Sequence, residues 1–429
     1  MKYMTRRPPR TNNQQMMKEE NIKLLFNLIA ERPGITRVQL GRMTQLSPTT
    51  VSTLVDELMQ NHLVEETGLA VTRSAGRKPI LLRVAPEGRQ IAQFSLTRGG
   101  IFFALYGLNL QVLESRYLHH SADAYGGFVN GTPLDDPDAG DDYMSLMERM
   151  LQESRHCKRE RLLAVCVTLP GVYLQQDDSF SWSAMRVRIG GEAVRRLESR
   201  LGVPIFLGNA SMCRAYAEKK CLEHPGTELQ DLIYVNACDG LGAGIIAGGE
   251  FLVGNSFTAG EIGHISVDIG GKRCACGQNG CVEQYVNLNA IQEQIELAWA
   301  ADPACTGAAP SSLEEIGRLW EKDHPVVSDV MEDVTLKLFS AIYGTLCITG
   351  IKRVVIGGGI EQLGARLLER LQQQTTRNPH NLLIRDLSIS FARSGLNGDG
   401  DGIVAFYLDN VFTITGDEVA QPAQLVESH

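Results

Sequence analysis

Apolar residues recur at helical spacing at Ile22, Leu25, Phe26 and Ile29, which predicts a helix that Pro33-Gly34 stops. Thr36, with Gln39 three residues later, forms a capping box for a short helix ending near Met43. Ser47 caps a third helix with Pro48 at its first position, and Val51, Leu54, Val55 and Leu58 form its buried stripe. Thr49, Thr50 and Thr53 fall on its other faces. Leu63–Glu66 reads as a short strand and Ile80–Val84 as a second, separated by a polar loop carrying Arg73, Gly76, Arg77 and Lys78. Helix, short helix, turn, helix and basic wing make a winged helix-turn-helix over residues 15–88, preceded by a loose basic arm over 1–14.

Beyond the head the pattern changes. Gln93–Leu108 reads as two strands around a turn at Arg98-Gly99-Gly100, 123–142 as an exposed loop, and Met144–Arg155 as a helix. Leu162–Leu169 is an apolar strand, Ala193–Leu201 a helix, and Val203–Leu207 a strand entering Gly208-Asn209-Ala210. Leu232–Val235 is a strand, Gly240–Gly249 leads through a second hairpin, Val327–Ile348 is a long helix, and Arg353–Ile356 runs into Gly357-Gly358-Gly359 and a further helix. Strands alternating with helices predict an α/β body over 89–415, with a polar tail over 416–429. The two strand-turn-strand units near residues 99 and 240 suggest two related lobes.

Charge sharpens this division. Residues 1–90 carry 14 Lys/Arg against 8 Asp/Glu, and the remainder carries 27 against 42. A basic head on an acidic body is expected to meet a polyanion. In the DNA-bound reading the third helix enters the major groove, where Ser47, Thr49, Thr50 and Thr53 touch base edges or phosphates. Arg73, Arg77 and Lys78 are the wing's basic contacts, with Arg77 drawn to a narrow minor groove. No signal peptide or membrane-spanning run is visible, so no membrane insertion and a reduced, cytoplasmic location are expected.

The densest chemistry lies between Glu261 and Glu283. His264, Cys274, Cys276 and Cys281 supply one imidazole and three thiolates, a closed four-ligand set for structural Zn2+. Gly277 and Gly280 let the backbone wrap between the last thiols, and the metal would fix the flanking carboxylates.

Gly260-Glu261-Ile262-Gly263-His264 followed by Cys-x-Cys-Gly-x-x-Gly-Cys-x-Glu resembles the signature of the ROK family of repressors and sugar kinases. The resemblance extends from about residue 14 to about residue 410, and the head is similar to the family repressors' DNA-binding domain at Leu46-Ser47-x-x-Thr50-Val51-Ser52 and Gly76-Arg77-Lys78-Pro79. It implies a two-lobed, actin-like, hexokinase-type (ribonuclease H-like) body with a sugar in the interlobe cleft. It implies that Asn209, Glu261, His264 and Glu283 contact that sugar, His264 also ligating zinc.

Kinase members of the family need groups that are altered here. Ser95 stands where they place an Asp before the first phosphate turn. Ala210 follows Asn209 where they place the Asp that takes the sugar hydroxyl's proton, and alanine cannot accept one. Cys238-Asp239-Gly240 puts a carboxylate in the second phosphate turn. Gly357-Gly358-Gly359 resembles the adenosine loop but reads better as a close packing turn. The chain is therefore expected to be no enzyme but a sugar-responsive transcription regulator, a repressor released from its operator by sugar. The alternative is a ROK sugar kinase with a DNA-binding head. Expected partners are operator DNA, a sugar effector, further copies in a homodimer or tetramer, and, as for some relatives, a sugar-transport protein.

Overall fold

A computed structural model of the chain describes residues 2–4, 14–69, 79–86, 88–97, 100–119, 139–182, 187–224, 227–238, 240–254, 257–376, 381–395 and 397–412. Arg73, Arg77, Lys78, Arg98, Gly99, Asp239 and the tail 416–429 lie outside the described residues.

The head has the expected plan. Helices span Gln14–Glu31, Arg37–Thr44 and Pro48–Gln60. The capping box forms in full: Thr36 Oγ1 accepts from Gln39 N–H, and Gln39 Oε1 accepts from Thr36 N–H. Ile22, Leu25, Phe26 and Ile29 are buried with Val51, Leu54, Val55 and Leu58, so the two periodic stripes face each other. The wing strands are Val64–Leu69 and Ile80–Val84, with Ile35–Thr36 on the latter's other side. The first wing strand runs three residues beyond its predicted end, because a register shift between Glu66 and Gly68 lets the pairing continue to Leu69 opposite Ile80.

Two lobes follow. The N-terminal lobe is built on a six-stranded sheet ordered Lys2–Tyr3, Ile205–Asn209, Leu162–Leu169, Gln90–Thr97, Gly100–Gly107, Val112–His119. The predicted hairpin is present, with Thr97 opposite Gly100, but it gains a third strand. The helix predicted from Met144 starts earlier, at Ala139, taking the end of the expected loop. The C-terminal lobe is built on a five-stranded sheet ordered Glu250–Phe251, Leu241–Ala247, Leu232–Ala237, Arg353–Gly357, Ser388–Phe391. The long helix Pro325–Thr349 packs across it, burying Val327, Met331, Val334, Leu338, Ile342 and Leu346. Helices Ala210–Leu222 and Gly398–Phe406 pack on each other where the lobes meet. This is the two-lobed actin-like, hexokinase-type plan that the resemblance implies.

The arm expected to be loose is ordered at its start. Lys2–Tyr3 forms a strand parallel to Ile205–Asn209, and Met4 is fully buried. Head and body share one hydrophobic cluster. Lys23 Nζ donates to the Asp409 carbonyl, Arg89 Nε donates to the Asn61 carbonyl at 3.2 Å, and Phe26 meets Phe412 edge-on at 6.5 Å between centroids. Among the described residues no helix is long and apolar enough to cross a membrane.

Candidate functional site

The His/Cys set converges. Ligand atoms of His264, Cys274, Cys276 and Cys281 all lie within 4.8 Å of one another. Cys274 Sγ is 3.6 Å from His264 Nδ1, and Cys276 Sγ is 3.6 Å from Cys281 Sγ. Tetrahedral zinc with sulfur ligands at about 2.3 Å would separate two thiolates by about 3.8 Å, so the spacing fits the ion. Short backbone turns set this geometry. Cys274 N–H donates to the Gln278 carbonyl at 2.8 Å, and Val282 N–H donates to the Ile265 carbonyl at 2.9 Å. Gly280 has φ +70°, and a β-carbon there would strike the Asp268 carbonyl oxygen at 1.6 Å. Cys274 and Cys281 are buried, whereas Cys276 is exposed. Burial pushes the Cys281 thiol up to about 12, while backbone donation from Gln278 lowers that of Cys276.

The imidazole of His264 has two different neighbours. Nδ1 faces the sulfur atoms, and Nε2 lies 3.9 Å from Glu261 Oε2. That distance is too long for a hydrogen bond but short enough for charge to be felt. Burial raises the Glu261 carboxyl above its ordinary value; His264 opposes this and the nearby Glu283 charge adds to it. Two neighbouring carboxylates suit a ligand that brings hydroxyl donors. Glu283 begins the helix Glu283–Val286, and its Oε2 accepts from Leu241 N–H at 3.0 Å. A β-carbon at Gly263 would sit 3.2 Å from that oxygen and 2.2 Å from the Leu241 carbonyl oxygen, so only glycine admits the carboxylate here.

Asn209 enters from the other lobe. It caps the helix Ala210–Leu222, its Oδ1 accepting from Ser211 N–H at 2.8 Å and Met212 N–H at 3.1 Å. Its Nδ2 donates to the Gly171 carbonyl at 2.7 Å. The amide is thus largely engaged in shaping the turn, which leaves one N–H for a ligand. The same helix turn abuts the Glu261 loop through strand Leu241–Ala247. Ala243 N–H donates to the Gly260 carbonyl at 2.7 Å, and a β-carbon at Gly242 would lie 3.0 Å from Ser211 Oγ.

The region that the resemblance assigns to phosphate holds a buried hydrogen-bond network. Ser95 and Thr168 are buried, and their hydroxyls donate to Asp399 Oδ2 at 2.6 and 2.7 Å. Gln93 Nε2 donates to Ser95 Oγ at 2.7 Å. Arg214 donates to Asp399 Oδ1 at 3.3 Å. Burial pulls the Arg214 guanidinium down, but Asp399 and Tyr234 beside it hold it above its ordinary value. The sequence reading missed Thr168, Arg214 and Asp399, which no local motif joins. Gly357 and Gly358 pack closely, as expected of a packing turn: β-carbons there would lie 2.2 Å from Tyr234 Oη and 2.4 Å from Asn236 Oδ1.

In the head, Ser47 is the cap of Pro48–Gln60, accepting from Thr50 N–H at 3.1 Å, with the two hydroxyl oxygens 2.8 Å apart. Thr49 and Thr53 are exposed on the same helix. The last turn of the preceding helix presents Arg42, also exposed, which the sequence reading did not single out. Arg37 pairs with Asp56 at 2.7 Å and Glu66 at 3.4 Å, tying the two helices to the wing.

Comparison with known proteins covers both parts. The ROK family profile matches residues 141–397, and a winged helix-turn-helix DNA-binding profile matches residues 18–65. The chain is similar to the Escherichia coli K12 DNA-binding transcriptional repressor Mlc, 29% identical over 293 residues that make up 66% of each chain. It is also similar to the Escherichia coli K12 DNA-binding transcriptional dual regulator NagC, 25% identical over 84% of this chain and 85% of that one. A solved structure described as a ROK family transcriptional regulator, homologous to the Escherichia coli Mlc protein, matches at TM-score 0.71 and 25% identity, over 92% of this chain and 98% of that one.

Proposed function

Because the chain belongs to the ROK family, we propose that it is a sugar-responsive transcriptional repressor that binds operator DNA through its winged head and is released by a sugar in the interlobe cleft. The observation that carries this is a contrast among the site residues. Glu261, His264 and Glu283 are neighbours whose acceptors suit hydroxyls, while Ala210 offers no proton acceptor and the Ser95 hydroxyl is engaged by Asp399. A lost general base alone lowers a rate by about two to four orders of magnitude. The relatives it matches over most of its length are named as transcription regulators, which supports the same reading.

His264, Cys274, Cys276 and Cys281 hold structural Zn2+ in this account. With the ion bound, these four residues would brace the hairpin and the His264 ring would be held through Nδ1. His264 then presents Nε2 beside Glu261, so metal and sugar sites share one side chain. Glu261 and Glu283 accept from adjacent hydroxyls, and Asn209 donates its remaining N–H from the opposite lobe. Binding across two lobes draws them together and moves the linking helices Ala210–Leu222 and Gly398–Phe406.

Thr49, Thr53 and Arg42 face the DNA, with Ser47 and Thr50 shaping the helix start, and Arg73, Arg77 and Lys78 supplying wing contacts. The protein works in the cytoplasm as a homodimer or a tetramer, so that paired heads read two half-sites. A sugar-transport protein remains a further partner in this proposal.

The test uses a duplex selected from a random library by the full-length protein. Its dissociation constant is measured with and without glucose, N-acetylglucosamine and xylose. The repressor reading predicts at least one sugar that weakens binding about tenfold or more. Indifference to hexoses, pentoses and amino sugars alike would remove it.

A further inference from the structure

The N-terminal arm does something that no motif announces. Lys2 pairs with Phe206 and Tyr3 with Leu207, so the arm adds an edge strand beside the one that ends at Asn209. Met4 then turns into the protein and is fully buried. Its sulfur lies 3.3 Å from Cys213 Sγ. A β-carbon at Gly208 would meet Cys213 Sγ at 2.7 Å, Met4 Sδ at 2.9 Å and Ile403 Cδ1 at 3.0 Å. The missing side chain at Gly208 is therefore what makes the seat for Met4. Cys213 belongs to one linking helix and Ile403 to the other. Met4 is wedged where the two meet, and a change in lobe angle that slides one helix past the other must alter that seat.

The strand under the arm is wired toward the head as well. Phe206 stacks on Phe406 at 6.0 Å and meets Tyr407 edge-on at 5.9 Å. Tyr407 is 6.4 Å from Phe412, which touches Phe26 of the head's first helix. Tyr407–Val411 is a π turn at the end of the linking helix, a geometry often found at functional sites.

We propose that Lys2–Met4 is an intramolecular strap whose seating between the linking helices holds the head in its operator-binding arrangement. Movement of those helices unseats Met4 and frees the head. The strap deepens the repressor reading given above and rests on it for the sugar step only. Its seat is a packed junction of Gly208, Cys213 and Ile403, and packed junctions switch between discrete arrangements rather than deform continuously.

The experiment compares full-length wild type with Met4→Asp, Met4→Leu and Lys2→Gln, on the duplex selected by the wild type, with glucose, N-acetylglucosamine and xylose as probes. Met4→Asp is expected to bind the duplex about tenfold more weakly without any sugar, and to be indifferent to whichever sugar releases the wild type. Met4→Leu restores both properties. Lys2→Gln leaves the slope of log affinity against log salt unchanged, which separates a strap from a direct phosphate contact. Should Met4→Asp fail to fold by circular dichroism, deletion of residues 2–4 carries the same expectation. Wild-type affinity in Met4→Asp or in the deletion overturns the strap. If no probe sugar moves the wild type, the repressor reading fails, and the sugar-free comparison still decides the strap.

Discussion

Ser95 Oγ donates to Asp399 Oδ2 across 2.6 Å, although 304 positions separate the two residues. The bond engages the Ser95 hydroxyl, which the resemblance places where kinase members carry an Asp. Thr168 shares the same carboxylate oxygen and Arg214 takes the other, so the region is internally neutralised.

That network predicts the outcome of an attempted repair. Ala210→Asp restores a carboxylate at the first position of its helix, yet is expected to release no ADP when offered ATP and a hexose. Ser95 and Asp399 remain tied to each other in that variant, and the phosphate turn still carries Asp239. A coupled ADP assay checks it; turnover would show that the base was all the cleft lacked.

Asp399→Asn should cost about 3 kcal/mol of stability, because it leaves the Arg214 guanidinium in a mostly buried site with a weaker partner. Denaturant unfolding measures the loss. A change under about 0.5 kcal/mol would mean that the pair contributes nothing to joining the linking helices.

Glu261→Gln should lower sugar affinity about tenfold to a hundredfold, the range for losing a hydrogen bond to a charged group. Zinc content should not change, because Glu261 lies outside the four ligands. Calorimetry and metal analysis on the same preparation separate the two effects. Glu283→Gln should in addition lower the melting temperature, since Glu283 also holds Leu241 N–H.

Cys276→Ser is expected to lose zinc and the sugar response together. Its side chain is exposed, so the loss comes through the metal rather than through packing. A variant without zinc that still releases DNA with sugar would detach His264 from the account.

In the head, Ser47→Ala should cost about 1 kcal/mol through the lost cap, whereas Thr49→Ala should leave stability alone and weaken operator binding. Arg77→Ala should weaken binding to all duplexes and reduce the salt slope by about one, without touching sugar affinity.

The parts legible in the sequence were those with a local signature. The stripes Ile22–Ile29 and Val51–Leu58, the Thr36–Gln39 box and the Ile80–Val84 strand appear where periodicity and capping chemistry place them. The His/Cys run was legible because its ligands are close in the chain, and only the upstream imidazole had to fold back. Asn209 carries a role that its motif does not announce: Oδ1 caps the helix Ala210–Leu222 and Nδ2 donates to the Gly171 carbonyl, as the turn residue it also resembles in sequence. The strand at Lys2–Tyr3 is too short to show a period, and what makes it a strand lies far along the chain at Phe206 and Leu207. Asp399 and Arg214 sit in Gly-rich or Ala-rich helix sequence, and only folding brings them to Ser95.

The most direct test of the central claim is reciprocity. Take the sugar that weakens operator binding, and measure its dissociation constant by calorimetry with and without saturating selected duplex. Coupling through the linking helices predicts that the duplex weakens sugar binding by the same factor by which sugar weakens duplex binding. Equal sugar affinities with and without the duplex would contradict it.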